Sequence, residues 1–413
     1  MRSQRDILIA WSFYDWATSS FSSIIQTYLF ATYFVTKVAP TKDVGVSQWG
    51  LMMGLASLFV AVTAPFLGAL ADQGGHRKGW LLVCTVIVVA CTAALWGVYP
   101  DPSYALMGLI LVGIATIAEE SAFIFYNALL PEIASKETIG RWSGWGWAMG
   151  YIGGTLILGL SLLIFLADGT QDSSALAVRS TFLLCAGWIG VFSIPLFLIV
   201  PDSYRPAYLS VRELISKAIF QVRHSFKQMR KSQNLFLFLV ARMLYTDALI
   251  TLFTFGGIYA AAQFNMEETR ILLFGIGLNV TAGLGAALFA YLDDLWGGKS
   301  VVMGSLAALL FTSAMALSVD KELYFWFWGL LIGIFVGPIQ ASSRSYMARL
   351  TPKETLNEMF GFFAFSSKVT AFLGPLTVSW ITALTGNLRL GMVSILFYAF
   401  SGFVLMSFVN KDK

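Results

Sequence analysis

Charged side chains are scarce in this sequence: Asp, Glu, Lys and Arg make up 12% of 413 residues, about half the share in ordinary soluble domains. So few charges cannot cover a water-facing surface, which excludes a soluble globular protein. There are two histidines, His76 and His224. Neither lies in a long apolar stretch, so a relay of buried imidazoles is excluded. The three cysteines, Cys84, Cys91 and Cys185, show no metal-ligand spacing. Cys84 and Cys91 sit about two turns apart on one expected helix, roughly 10 Å, too far to bridge. They read as packing residues. No phosphate loop, nucleophile elbow or HExxH pattern is present, so the sequence argues against an enzyme and implies no metal or organic cofactor. A net charge of +4 gives no footprint for nucleic acid.

What is present is apolar. Hydrophobic residues reach 57% and aromatic ones 15%, with a mean hydropathy of +0.73. The 37 glycines and 11 prolines fit membrane helices, which tolerate both better than soluble helices do. A membrane-crossing helix needs about 20 mostly apolar residues. Twelve stretches qualify: 8–36, 47–70, 79–99, 103–130, 141–167, 178–200, 234–263, 269–291, 300–318, 322–349, 358–385 and 388–409. The expected fold class is therefore an all-α polytopic membrane protein whose main partner is the lipid bilayer. The first stretch carries Asp15 and lacks a small-residue cleavage site, so it reads as a permanent span rather than a signal peptide. An even number of spans puts both termini on one side. Nineteen Lys and Arg fall on that side and six on the other, which predicts cytoplasmic termini.

The chain repeats itself. Lys136-Glu137-Thr138 after span 4 recurs as Lys353-Glu354-Thr355 after span 10, and Gly144 matches Gly361 at the same offset. The loop LADQGGHRK after span 2 has a degraded counterpart, YLDDLWGGK, after span 8. Two parallel six-helix repeats with a polar site between them are one known transporter plan. The division expected is a first bundle over 1–200, a linker over 201–233 and a second bundle over 234–413. In the linker, Leu214, Ile215, Ala218, Ile219, Val222, Phe226 and Met229 recur at helical spacing among Arg212, Lys217, Arg223, Lys227 and Arg230. That pattern predicts a basic amphipathic helix on the inner membrane surface, with a partner-docking helix as the alternative.

Gly68-Ala-Leu-Ala-Asp72-Gln-Gly-Gly75-His-Arg77-Lys78 resembles the signature loop between spans 2 and 3 of the major facilitator superfamily. Gln73 stands where that signature has arginine, and His76 at a basic position. The resemblance implies a gating role for Gly68, Asp72, Gly75, Arg77 and Lys78, with Asp72 capping a helix end and pairing with a cation of the other half. Longer blocks narrow the likeness: WSFYDWATSSF, FYNALLPEIA, WGWAMGYIGG, ARMLYTDALITLFTFGGIYAA, GPIQASSRSYMARLTP and FGFFAFSSKVTAFLGP. Together they resemble the vacuole-effluxer-like branch, fungal autophagy-related vacuolar amino-acid effluxers and their bacterial relatives. For a bacterial member this implies an inner-membrane location and export of an amino acid or peptide.

Charges inside the spans carry the independent argument, because an ionisable group in hydrocarbon is costly and usually marks a pathway. Asp15, Ser19, Ser22 and Gln26 share one helical face of span 1, and Thr116, Glu120, Phe123 and Asn127 one face of span 4. Asp247, Thr251 and Thr254 do so on span 7, which also carries Arg242 and Tyr245, and Gln340 lies one turn from Arg344 on span 10. Asp15, Glu120, Asp247 and Lys368 come out about 12–18 Å deep. These residues form the expected site for a small polar solute: cations for its carboxylate, carboxylates for its amine or for a coupled proton. Asp15, Glu119, Glu120 and Asp247 are the proton candidates, since burial raises the pH at which a carboxyl ionises. The competing reading is a structural ion-pair network, for example Asp15 with Lys368. Glu119 and Glu120 are adjacent and cannot share a face, and Arg344 lies near enough to the inner end to snorkel. Gly146, Gly150 and Gly154 read as helix-packing positions. A monomeric carrier of a small amino-acid-like solute is expected, with an exporter of larger amphiphiles or a non-transporting sensor as alternatives.

Overall fold

The structure, a computed structural model, describes residues 3–74, 76–168, 174–202, 211–231, 233–266 and 268–410. Among the described residues, eleven helices are long and apolar enough to cross a membrane. Span 1 makes the twelfth. It is α-helical over Gln4–Phe21, widens to a π-helix over Ser22–Tyr28, returns to α over Leu29–Tyr33 and ends in a second π segment, Phe34–Val38. The other spans are Lys42–Gly74, Arg77–Ala94, Ala105–Ile133, Ile139–Asp168 and Ser174–Ile199, then Gln233–Phe264, Glu268–Trp296, Gly298–Ser318 and Glu322–Leu350. Span 11 is two half-helices, 11a (Leu356–Lys368) and 11b (Leu373–Thr385), and span 12 is Leu388–Ser407. A linker helix, Val211–Lys231, joins the two sets of six.

The packing repeats between the halves. Spans 1 and 6 pack together as spans 7 and 12 do, and the 3–4 and 2–4 pairs recur as 9–10 and 8–10. The halves meet along two crossings, span 2 on span 11 and span 5 on span 8. Each crossing needs a glycine. A Cβ at Gly361 would run into the Ala64 carbonyl, and one at Gly144 would stand 2.6 Å from the Ala286 carbonyl. The repeat read from Gly144 and Gly361 is thus a repeat of helix crossings. Gly146, Gly150 and Gly154 bring span 5 onto span 1, where a Cβ would meet Asp15, Ser19 and Ser23 respectively.

Polarity is inverted relative to a soluble protein. Leu106, Leu198, Leu295 and Leu323 are more than half exposed on the outside, while Asp15, Glu119, Arg242, Asp247, Asp293, Arg344 and Glu358 are buried. In water that surface would aggregate. In lipid it is the solvated face, and Trp296, Tyr324 and Trp380 are exposed on it. The chain is a multi-pass integral membrane protein.

The first and last described residues lie at one end of the bundle, called here the terminal end. Gln4 donates to the Ile133 carbonyl at the end of span 4 at 3.2 Å, and Tyr346 near the end of span 10 donates to the Asn410 carbonyl at 2.7 Å. The linker helix is also here. Ala218 and Ser225 are buried and Val222 half-buried against the bundle, whereas Ile219 and Phe220 point outward. The side chains of Arg212, Leu214, Ile215, Phe226, Lys227, Met229 and Arg230 lie outside the described residues, as does Gly75. Over its described side chains the helix faces the bundle through Ala218, Val222 and Ser225.

Candidate functional site

A cavity of about 370 Å³ lies between the halves. Span 1 contributes Asp15, Ser19, Ser22 and Ser23 to its wall, and span 4 contributes Glu119, Glu120, Phe123, Ile124 and Asn127. The second half contributes Arg242, Thr246, Asn279, Gln340, Phe360, Phe363, Ser367 and Lys368. The charges are sorted by half. Every carboxylate in the wall comes from spans 1 and 4, and both cations come from spans 7 and 11. Five aromatic rings, Phe123, Trp147, Tyr151, Phe360 and Phe363, complete it, more than the polar stripes of the sequence suggested.

The cavity charges are engaged in different ways. Lys368 reaches across to Glu120, Nζ to Oε1 at 2.5 Å, with about a quarter of each side chain exposed. The adjacent Glu119 turns back into the first half. It accepts from the Ser22 hydroxyl at 3.2 Å and the Gln26 amide at 3.4 Å, and Gln26 also donates to Thr116 Oγ1 at 3.2 Å. Ser22 and Gln26 both lie in the π segment, and π-turns within α-helices gather at functional sites. Gln26 thus sits behind the wall and holds Glu119. Among the described residues, the Arg242 Nε and the Thr246 hydroxyl have no hydrogen-bond partner.

Asp15 pairs with Arg344, not with Lys368. Arg344 Nη1 lies 3.1 Å from Asp15 Oδ2, which also accepts from the Tyr126 hydroxyl at 2.8 Å. The same guanidinium donates to Ser143 Oγ at 2.9 Å, to the Ser143 carbonyl at 2.7 Å and to Asn127 Oδ1 at 3.3 Å. It packs against the rings of Trp11, Tyr126 and Trp147. Arg344 is 2% exposed, so it does not snorkel: spans 1, 4 and 5 fill its donors before it could reach water. It does not line the cavity but closes it on the terminal side.

Two further locks close the terminal end. Asp72 at the end of span 2 accepts from the backbone N–H of Asn357 at 3.2 Å and of Glu358 at 2.9 Å, and from the Asn357 amide at 2.7 Å. A carboxylate at the start of half-helix 11a satisfies donors that the helix itself cannot. Gly68, one turn earlier, lies against the Asn357 backbone. The cation beside Asp72 is Arg77 at 3.1 Å, from its own loop rather than from the other half. Arg77 also pairs with Glu132, and Lys78 donates to the Phe197 carbonyl at 2.9 Å, so both basic residues tie their own bundle together. In the second half Asp294 accepts from the Arg141 N–H at 3.0 Å at the start of span 5. Arg141 and Glu358 are related by the offset that relates Lys136 to Lys353. Asp294 is thus the counterpart of Asp72, and its neighbour Asp293 is paired with Arg349 at 2.6 Å.

The linker helix joins this closure. Gln221 donates to Glu358 Oε2 at 2.7 Å and Ser225 to the same atom at 3.0 Å, while Gln73 donates to Gln221 Oε1. Gln73, where the signature has arginine, is the residue that meets the linker. Sequence reasoning missed Glu358, Asp293, Asp294, Gln221 and Ser225. For the two aspartates the signal was present in YLDDLWGGK.

Two expected site residues lie behind the wall on span 7. The Tyr245 hydroxyl shares a 2.7 Å hydrogen bond with Ser343, and Asp247 accepts the Gly374 N–H at 2.9 Å.

Twelve spans in two related halves around a charged central cavity define a transporter of the major facilitator fold. Solved structures agree with the fold. The proton:xylose symporter XylE superposes with a TM-score of 0.75 at 14% identity, covering 99% of this chain and 96% of that one. The human organic anion transporter MFSD10 gives 0.72 at 14% identity, over 98% and 100%. The chain belongs to the family described as vacuole effluxer Atg22 like, which matches residues 41–413. It is 27% identical over 411 residues to the MFS-type transporter YxiO of Bacillus subtilis (strain 168), covering 98% of this chain and 94% of that protein. It is 25% identical over 292 residues to autophagy-related protein 22 of Cryptococcus neoformans, spanning 63% of this chain and 48% of the fungal protein.

Proposed function

We propose that this transporter moves a small zwitterionic solute of the amino-acid type by alternating access, across a bacterial inner membrane with both termini in the cytoplasm. The observation that carries this reading is the sorting of charge. The cavity wall is acidic on the first half and basic on the second, so a solute bearing both signs contacts both halves at once and can draw them together. Its amine meets Glu120, released from Lys368, and its carboxylate meets Lys368 with the unpartnered Arg242 Nε and Thr246 hydroxyl. The volume, about 370 Å³, sits at the low end of ligand pockets, about 300–1,000 Å³. That favours an amino acid over a large amphiphile. The five aromatic rings favour one with a bulky apolar side chain, and they are the one feature that supports the amphiphile exporter as a second reading.

In this orientation the closed terminal end faces the cytoplasm. Glu119, held by two neutral donors, is the proton carrier we favour among Asp15, Glu119, Glu120 and Asp247. The protein works as a monomer and uses no cofactor beyond the proton. The test is counterflow of labelled amino acids into liposomes containing the purified protein, with Glu120→Gln and Lys368→Ala beside the wild type. Counterflow abolished in both variants, with folding retained, supports the reading. Counterflow unaffected by either removes it.

A further inference from the structure

Half-helix 11a stops at Lys368, and residues 369–372 form a bend and turn before 11b begins. The sequence explains the break. Pro375 is the third residue of 11b; its ring excludes the carbonyl four residues back, and its missing N–H is harmless in a first turn. A break inside hydrocarbon frees backbone groups that water cannot reach. The Leu373 N–H is taken internally by the Thr370 carbonyl at 2.8 Å. The Ala371 N–H is likewise taken by the Lys368 carbonyl at 3.4 Å. Span 7 adds partners of its own. Asp247 Oδ2 accepts the Gly374 N–H at 2.9 Å. Arg242 Nη1 donates to the Phe363 carbonyl at 2.6 Å and to Ser366 Oγ at 2.7 Å, with its guanidinium 3.4 Å from the centre of the Phe363 ring. Thr370 Oγ1 donates to the Met243 carbonyl at 3.3 Å. The signs match the helix ends, anion at the start of 11b and cation near the end of 11a. The approach is close enough to require glycine, since a Cβ at Gly374 would collide with the Thr251 hydroxyl.

We propose that Asp247 is a positioning residue and not a ligand for the solute or a carrier of the proton. Its carboxylate anchors the start of 11b and so fixes the unwound turn that presents Lys368 to the cavity. It is 1% exposed and is not in the cavity wall. The role needs an acceptor oxygen, not a charge, and asparagine supplies one.

The experiment compares wild type, Asp247→Asn and Asp247→Ala as full-length protein in nanodiscs, by amide hydrogen exchange of peptides covering residues 369–376. This readout needs no transported solute, so its outcome is separate from that of the zwitterion reading. Leaving the buried Gly374 N–H without an acceptor predicts exchange about tenfold faster in Asp247→Ala, and near wild-type in Asp247→Asn. Exchange unchanged in Asp247→Ala overturns the anchoring role. Asp247→Asn as fast as Asp247→Ala overturns the claim that an acceptor suffices. If Asp247→Ala does not fold, the pH profile of counterflow decides: Asp247→Asn keeps the wild-type profile if Asp247 positions, and loses its pH dependence if Asp247 carries the proton.

Discussion

Replacing Arg344 with methionine is expected to open the terminal end. Arg344 and Asp15 are both nearly fully buried, 2% and 5% exposed, and joined at 3.1 Å across the two halves. Removing one partner of a buried pair costs about 3–5 kcal/mol, because the other charge is stranded. Opening the terminal end returns Asp15 to water, so that cost falls on the closed arrangement. Even about 3 kcal/mol is roughly a hundredfold in the closed-to-open ratio. The double variant Asp15→Asn with Arg344→Met strands no charge and should recover most of the closed population. The assay is pulsed electron spin resonance between labels on Lys136→Cys and Lys353→Cys, exposed sites in opposite halves at the closed end, with Cys84, Cys91 and Cys185 replaced. The single variant should show a longer distance and the double variant a return toward the wild-type one. A single variant with an unchanged distance, or a double variant as open as the single, would refute the reasoning.

Other predictions follow from the same contacts. Glu120 and Lys368 are partly exposed, and their pair contributes about 1 kcal/mol or less to stability; Lys368→Met should leave the melting temperature within a few degrees while reducing counterflow more than tenfold. Asp72→Ala should open the terminal end in the same spin-label assay, and Asp72→Asn should open it less, because asparagine still caps half-helix 11a. Gln221→Ala and Ser225→Ala should each weaken the closed state by about 1 kcal/mol, the usual net worth of a hydrogen bond, read as a larger open population in the same spin-label assay. Under the proton reading, Glu119→Gln should leave counterflow intact and abolish uphill transport driven by a pH gradient.

Much of this was legible in the sequence. Span number followed from apolar length, and the relation between the two halves from Gly144, Gly361 and their flanking Lys-Glu-Thr triplets; that these glycines mark the crossings of the halves was not legible. Asp72 as a helix cap followed from the signature loop. Asp15, Glu120 and Lys368 were found as charges that hydrocarbon does not tolerate alone. Their pairing was not legible. Asp15 takes Arg344 and Glu120 takes Lys368, a choice set by how spans remote in sequence approach each other. Arg242 and Asp247 lie on different faces of span 7, as their spacing requires, and both still reach span 11. The break in span 11 turns their separation into a clamp, and Pro375 was its available signal. The contact of Gln221 and Ser225 with Glu358 was not legible either, because it joins the linker to a span remote in sequence.

The central claim is that the solute spans an acidic half and a basic half. Its most direct test is counterflow with three matched compounds: an apolar amino acid, the amine left by removing its carboxylate, and the acid left by removing its amine. The account predicts exchange of the amino acid and at least about tenfold less of either analogue, as expected when a buried charged group loses its partner. Equal exchange of all three, or no exchange by folded and inserted protein, would contradict it.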